Sequence, residues 1–341
     1  MTRSGQIGYD FVMVLLPVSL IIMGIVLYIL CRRKIPAQKE SEETLSVPVK
    51  SSACAFPLTD IDAATDGFKQ NRIVGQGRLG TVYAGIFAKG ELLAVKRIHS
   101  RFVLSNAGFG FSSVIKTLSL AQHPNIVPIL AFSQAPGERI MVTEFVGIGS
   151  LEFYLHQNPD GASLLDWSRR SRLAAGAARG LEYLHEGMTP NIIHGCVKSS
   201  NILLDVKFRA RVCDYGLSFL APKEKRGLVG HVDDEYWINN SSGGACKESD
   251  VYGFGVVLLE LLCGRRSEEG LLVKWALPLI KEMRFSEALD PRIAMPSDMK
   301  PIIRLAKVAS ACVSNNRKSR PSIVQIAAIL NSVEIDVSVC D

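Results

Sequence analysis

Phe11 to Cys31 reads FVMVLLPVSLIIMGIVLYILC, twenty-one consecutive residues without a charge. In a bilayer such a run becomes a helix, because a helix satisfies every backbone polar group within its own segment. At ~1.5 Å per residue it spans roughly 30 Å, the thickness of the hydrocarbon core. A cleavable signal peptide has a shorter apolar region, about 7–15 residues, and a small-residue cleavage site. This run is longer and leads straight into Tyr28-Ile29-Leu30-Cys31-Arg32, so an uncleaved anchor is expected over residues 11–31. Arg3 and Asp10 precede it, while Arg32, Arg33, Lys34 and Lys39 follow. Positive residues stay cytoplasmic, so residues 1–10 are expected outside and the rest in the cytosol. Ten residues are too few to fold, and sensing is expected to be borrowed from a partner. Cys31 reads equally well as a lipid-attachment site or as an ordinary apolar residue.

The 341 residues are 48% hydrophobic and 21% charged, a globular balance. A net charge of +6 without a basic tract beyond Arg32-Arg33-Lys34 gives no nucleic-acid footprint. Eight cysteines, at 31, 54, 196, 213, 246, 263, 312 and 340, form no C-x-x-C pair and no zinc spacing with histidine. Scattered cysteines of this kind suit a reducing compartment.

Residues 32–55 are polar, with Pro36 and Pro48, and read as a juxtamembrane linker. Phe56 to Phe68 has the caps and apolar spacing of a short helix. Arg72–Val74, Thr81–Ala88 and Leu92–Ile98 alternate as strands do. Trp167–His185, Ser249–Cys263 and Ile302–Cys312 instead repeat apolar residues every three or four. The expectation is an α+β, two-lobed body behind one transmembrane helix: a strand-rich lobe over 56–145, a helical lobe over 146–335 and a tail over 336–341.

Gly75-Gln-Gly77-Arg-Leu-Gly80 runs on into a strand, not the helix of a dinucleotide-binding turn. Taken alone it also fits a plain hairpin. Leu93-Ala94-Val95-Lys96 follows, its lysine sixteen residues after the last glycine. Further on come His194-Gly-Cys196-Val-Lys198-Ser-Ser-Asn201, then Asp214-Tyr-Gly216, then Lys247-Glu-Ser-Asp250 through Glu260, and finally Arg320-Pro321-Ser322. In this order and spacing, over about residues 56–335, the motifs resemble the plant receptor-like kinase family of serine/threonine kinases.

That resemblance implies a protein-kinase fold. It assigns Gly75, Gly77, Gly80, Val82, Ala94, Lys96, Glu144 and Leu203 to nucleotide binding, and Asn201 and Asp214 to Mg2+. Lys198 would touch the transferred phosphate. The resemblance also implies the plasma membrane, and as partners receptor kinases or receptor-like proteins that carry ectodomains.

The departures from the family pattern are chemical. Active members have His-Arg-Asp where this chain has His194-Gly195-Cys196. The aspartate would orient the acceptor hydroxyl and take its proton, and a thiol, mostly neutral at pH 7, is no substitute. The glutamate that should pair with the strand lysine falls at Val114, and no acid occurs between Glu91 and Glu138. After Ser218 no Ser, Thr or Tyr occurs before Glu235. Loss of the arginine at Gly195 fits, since it would receive a phosphate there. Glu235 and Arg320 are expected to keep the ion pair that ties the large lobe together, and Asp250 to brace the catalytic loop.

The expected function is that of a membrane-anchored pseudokinase, an adaptor or allosteric partner of receptor kinases. ATP and Mg2+ are allowed by the retained ligands but not required for that role. A weakly active serine/threonine kinase and a truncated receptor decoy are the alternatives.

Overall fold

The computed structural model describes residue 23 and residues 52–105, 110–221, 224–238, 244–267 and 270–340. Apart from Met23, the expected span over 11–31, with Cys31, lies outside the described residues. Among the described residues no helix is long and apolar enough to cross a membrane.

The smaller lobe is one sheet of β1 (Cys54–Ala55), β2 (Ile73–Gln76), β3 (Gly80–Ile86), β4 (Leu92–Ile98), β5 (Ile129–Ala135) and β6 (Glu138–Glu144). Their order is β1-β5-β6-β4-β3-β2, with β1 parallel to β5 and the other pairs antiparallel. Alternation along β4 sends Leu93 and Val95 to one face and Ala94 and Lys96 to the other. Helix α1 (Leu58–Ala64) covers the first face, where Ile61 is buried with Tyr83, Leu93, Val95, Ile140 and Val142. After β4 come α2 (Ser100–Ser105) and α3 (Phe111–Leu118). Phe111, Ile115 and Leu118, at helical spacing, bury α3 in the core that contains Ile98, Phe132 and Met141.

Strand β1 falls in the stretch expected to be linker. Its neighbours are tied in: the Ala53 amide donates to Ser119 Oγ at 2.8 Å and the Phe56 amide to the Phe132 carbonyl at 2.8 Å. The strand covers the unpaired backbone edge of β5, so the sheet begins two residues before Phe56.

The larger lobe holds α4 (Leu151–His156), α5 (Trp167–Glu186), α6 (Lys247–Cys263), α7 (Leu271–Lys281), α8 (Lys300–Cys312) and α9 (Ile323–Cys340). Helix α9 runs through most of the expected tail. Helix α6 is buried from Ser249 to Cys263 apart from Tyr252, as an all-round apolar helix must be. Asp166 starts α5 by accepting from the Arg169 amide at 2.7 Å, a cap worth about 1 kcal/mol. Arg170 on α5 is wholly buried and fully answered: Nη2 meets Asp290 Oδ2 at 2.7 Å, while Nη1 and Nε donate to the carbonyls of Leu261 and Leu165. A small hairpin of β7 (Ile202–Leu204) and β8 (Ala210–Val212) sits where the lobes meet. There the Val212 amide donates to the Asn125 carbonyl and the Val127 amide to the Val212 carbonyl, at 2.8 and 2.9 Å.

Candidate functional site

Between the lobes lies a cleft of about 1250 Å³. It is lined from the small lobe by Gly75, Gly77, Val82, Ala94 and Lys96, at the end of β6 by Glu144, and from the large lobe by Cys196, Lys198, Asn201, Leu203 and Asp214. Strand register produces its roof, since Val82 faces Lys96 across β3–β4 and Ala94 faces Thr143 across β4–β6.

Gly80 does not line the cleft. A Cβ there would lie 2.1 Å from the Arg97 carbonyl oxygen, so this glycine lets β3 run close against β4. Gly77 closes the turn by donating its amide to the Gly80 carbonyl at 2.9 Å. Its missing Cβ would stand 3.9 Å from Lys96 Nζ, so the lid tip rests over that ammonium.

Lys96 is 5% exposed and forms an ion pair with Asp214. Burial alone would raise the Asp214 pKa, but the Lys96 charge and hydrogen bond hold the carboxyl below its ordinary range. Val114 is half-buried and lines a separate pocket of about 270 Å³ with Thr117, Asn191, Ile192 and Gly216. Among the described residues, then, the lysine's carboxylate partner is the residue expected to hold the metal.

The catalytic loop is held from below by Asp250, near the start of α6. Its two carboxylate oxygens accept from the His194 and Gly195 amides at 2.7 Å each, and one lies 2.9 Å from His185 Nε2. The bracing role expected of Asp250 is therefore present. Gly195 has φ +76°, and a Cβ there would meet Ser218 Cβ at 2.7 Å. An arginine cannot simply be put back without strain and a shift of Ser218.

Cys196 is 7% exposed, and burial pushes its thiol above the ordinary value of 9.0, against the pull of Lys198 and Arg78. Its carbonyl accepts from Asn201 Nδ2 at 2.9 Å. That bond leaves the other end of the Asn201 amide, an oxygen, for the cleft. A carboxylate and an amide oxygen are hard donors and fit Mg2+; Asp214 and Asn201 would hold it, and it would supply positive charge against a nucleotide's phosphates. Glu144 is engaged through its side chain by Arg211, and its backbone amide donates to the Pro128 carbonyl at 3.3 Å.

The described part of the activation segment, the stretch from Asp214 to Glu235, seats beneath the lid formed by the glycine turn of residues 75–80. Arg78 Nη1 donates to the Ala221 carbonyl at 3.2 Å, Arg101 pairs with Glu224 at 3.4 Å, and Lys198 Nζ donates to the Gly227 carbonyl at 3.4 Å. Arg78 was not singled out from the sequence, although a cation inside a glycine turn was the available signal.

One expected pair is corrected. Arg320 binds Asp233, not Glu235: Nη1 lies 2.5 Å from Asp233 Oδ2, and Arg317 Nη2 lies 2.8 Å from Oδ1. Glu235 comes no nearer than 4.0 Å to Arg317 Nε, and its side chain is 38% exposed. The short turn Asp234–Trp237 explains the exchange. Asp233 caps it, accepting from the Tyr236 amide at 2.9 Å, and this position faces inward. Burial opposes ionisation of Asp233, but hydrogen bonds from Arg317 and Arg320 keep its pKa below the ordinary value.

A glycine lid over a buried lysine, a braced loop and a metal-type Asn/Asp pair between two such lobes define a protein-kinase domain. A family model described as protein tyrosine and serine/threonine kinase matches residues 68–330, and the chain belongs to that family. Phytosulfokine receptor 1 of Arabidopsis thaliana is 35% identical over 303 residues, covering 85% of this chain and 30% of that protein. The proline-rich receptor-like protein kinase PERK1 of the same plant is 35% identical over 311 residues, 85% of this chain and 46% of its own length. The chain thus spans less than half the length of these relatives. Among solved structures, the pseudokinase domain of BIR2, an immune regulator of the RLK/Pelle family, aligns with a TM-score of 0.68 and 33% identity. That alignment covers 82% of this chain and 86% of the other.

Proposed function

We propose that this chain is a membrane-anchored receptor-like pseudokinase that works by binding, as an adaptor or allosteric partner of receptor kinases with ectodomains. The carrying observation is the buried Cys196 thiol, its pKa pushed up by burial, where a kinase needs a carboxylate to orient the acceptor hydroxyl and take its proton. A general base is worth about 10²–10⁴ in rate. The Lys96–Asp214 pair adds to this, because each group neutralises the other before any nucleotide arrives. The likeness to a structure titled as a pseudokinase supports the same reading. The apolar run over 11–31, with Arg32, Arg33 and Lys34 behind it, supports a single-pass anchor with the kinase domain cytoplasmic. The receptor names of the relatives support the plasma membrane.

The test is turnover. The purified full chain, given ATP, Mg2+ and a generic protein substrate, should phosphorylate at least about 100-fold more slowly than the roughly one per second of ordinary kinases. A rate near one per second would defeat the proposal. One observation favours a second reading, a weakly active serine/threonine kinase: Lys96, Lys198, Asn201 and Asp214 all line one cleft. ATP and Mg2+ fit this site whichever reading holds, and the adaptor role does not depend on them.

A further inference from the structure

The mouth of the cleft carries more positive charge than its own acids answer. Lys96 is neutralised by Asp214 and Arg101 by Glu224, whose other contact is the Arg226 amide at 3.0 Å. Arg78, Lys198 and Arg226 also line the cleft, and among the described residues none of the three has a carboxylate partner. They come from three different elements: the glycine turn, the catalytic loop and the activation segment. The Lys198 ammonium and the stem of Arg78 flank one glycine, since a Cβ on Gly227 would lie 3.6 Å from Lys198 Nζ and 3.7 Å from Arg78 Cβ. Arg226 is the adjacent residue and is exposed. Arg78 Nε is buried without a hydrogen-bond partner, and an orphaned donor of this kind marks a place for an acceptor.

We propose that this cationic mouth docks a phosphorylated serine or threonine segment of another protein, held by Arg78, Lys198 and Arg226. The inference rests on the adaptor reading and names its partner chemistry. A phosphate brings close to two negative charges and three acceptor oxygens, enough to engage three cations together, which one carboxylate cannot do. Residues 219–234, which carry Arg226, contain no Ser, Thr or Tyr, so this stretch does not supply the phosphate itself. Nucleotide phosphates would be drawn deeper, toward Lys96, whereas Arg226 stands on the outer edge.

The test uses the purified full chain in detergent micelles and fluorescence anisotropy. The probe is a labelled degenerate 12-residue peptide library with one central phosphothreonine, compared with the same library carrying threonine. The phosphorylated library should bind at least tenfold more tightly, with the difference shrinking as salt rises. Arg78→Gln with Arg226→Gln should erase the difference, and Arg226→Glu alone, at an exposed position that the fold does not need, should cut it severely. Equal affinity for the two libraries would overturn the proposal, as would discrimination that survives in both variants. Competition by phosphatidylserine vesicles or inorganic phosphate as effective as by the phosphopeptide would overturn it in favour of a lipid or ion site. A turnover assay on the same preparation separates this failure from failure of the adaptor reading.

Discussion

The buried charges of the large lobe and those of the cleft are handled in opposite ways. Asp233, Asp250 and Asp290 each accept from several donors: two arginines, two loop amides with a histidine, and two further arginines. Burying a charge is costly unless it is fully partnered, and these are. In the cleft, Lys96 and Asp214 have chiefly each other, burial pushes the Cys196 thiol pKa up, and Arg78 keeps an orphan nitrogen. A structural charge is satisfied by the protein itself, whereas a catalytic charge must be left waiting for substrate. Losing the second kind therefore costs the fold little, and this chain keeps the kinase architecture with Cys196 where active members of the family have an aspartate.

The sharpest attack on that contrast is to restore a catalytic group and read the rate. Cys196→Asp should raise phosphoryl transfer by up to about 10²–10⁴-fold, at a cost in stability because a buried site packed by Leu228, Val232 and Tyr236 must then hold a charge. Adding Val114→Glu should contribute much less, because Val114 lines the small pocket beside Gly216 and not the cleft. A radiolabelled-ATP assay decides. No gain from Cys196→Asp would mean that the cleft is deficient beyond its missing base.

Next in size is the structural side of the comparison. Asp233→Ala leaves Arg317 and Arg320 without their shared carboxylate and should cost about 3–5 kcal/mol. Glu235→Ala, at a partly exposed side chain, should cost under about 0.5 kcal/mol. Urea denaturation of the two variants side by side measures this. Equal losses would break the assignment of the buried acid to Asp233.

A smaller effect probes whether the cleft still takes nucleotide. Asp214 occupies Lys96, and Mg2+ is the ligand best able to draw the carboxylate away. ATP with Mg2+ should raise the melting temperature, by an amount corresponding to about 2.7 kcal/mol at a hundredfold excess over the dissociation constant. ATP with a chelator should raise it less. A flat response at millimolar ATP and Mg2+ would show a closed site.

Much of this was legible in the chain itself. Alternation showed Leu92–Ile98 to be a strand, the family resemblance put Lys96 at the nucleotide site, and helical spacing located α5, α6 and α8 to within a few residues. Asp250 was placed correctly because its task depends on a short, fixed path from α6 to the loop. What escaped depended on side-chain direction. Asp233, Asp234 and Glu235 are three adjacent acids, and only the capping geometry of the following turn selects the one that faces inward. Gly80 belonged to a phosphate-type motif, yet close strand approach decides its place. Val114 could be counted to but not oriented, and β1 was too short to show any period.

The weakest expected effect separates the two regions by pH. His194 is buried against Asp250, Asp214 and His185, and His231 lies against Glu260 and Lys198. Burial is the largest influence on each and lowers its pKa below the ordinary 6.5. The native state then resists a proton that the unfolded chain accepts. Stability present above pH 6.5 should fall as the pH drops below that value, by about 1.4 kcal/mol per pH unit for each histidine, until the folded pKa is reached. Asp214 and Asp233, held below their ordinary 3.8, keep their contribution until the pH falls through that lower region. Acid titration of the urea midpoint should therefore show a first decline starting near 6.5 and a second below about 4. His231→Gln should weaken the first and leave the second, whereas Asp233→Asn should weaken the second and leave the first. A single decline confined to the carboxylate range would mean that neither histidine is protected from protonation in the folded state.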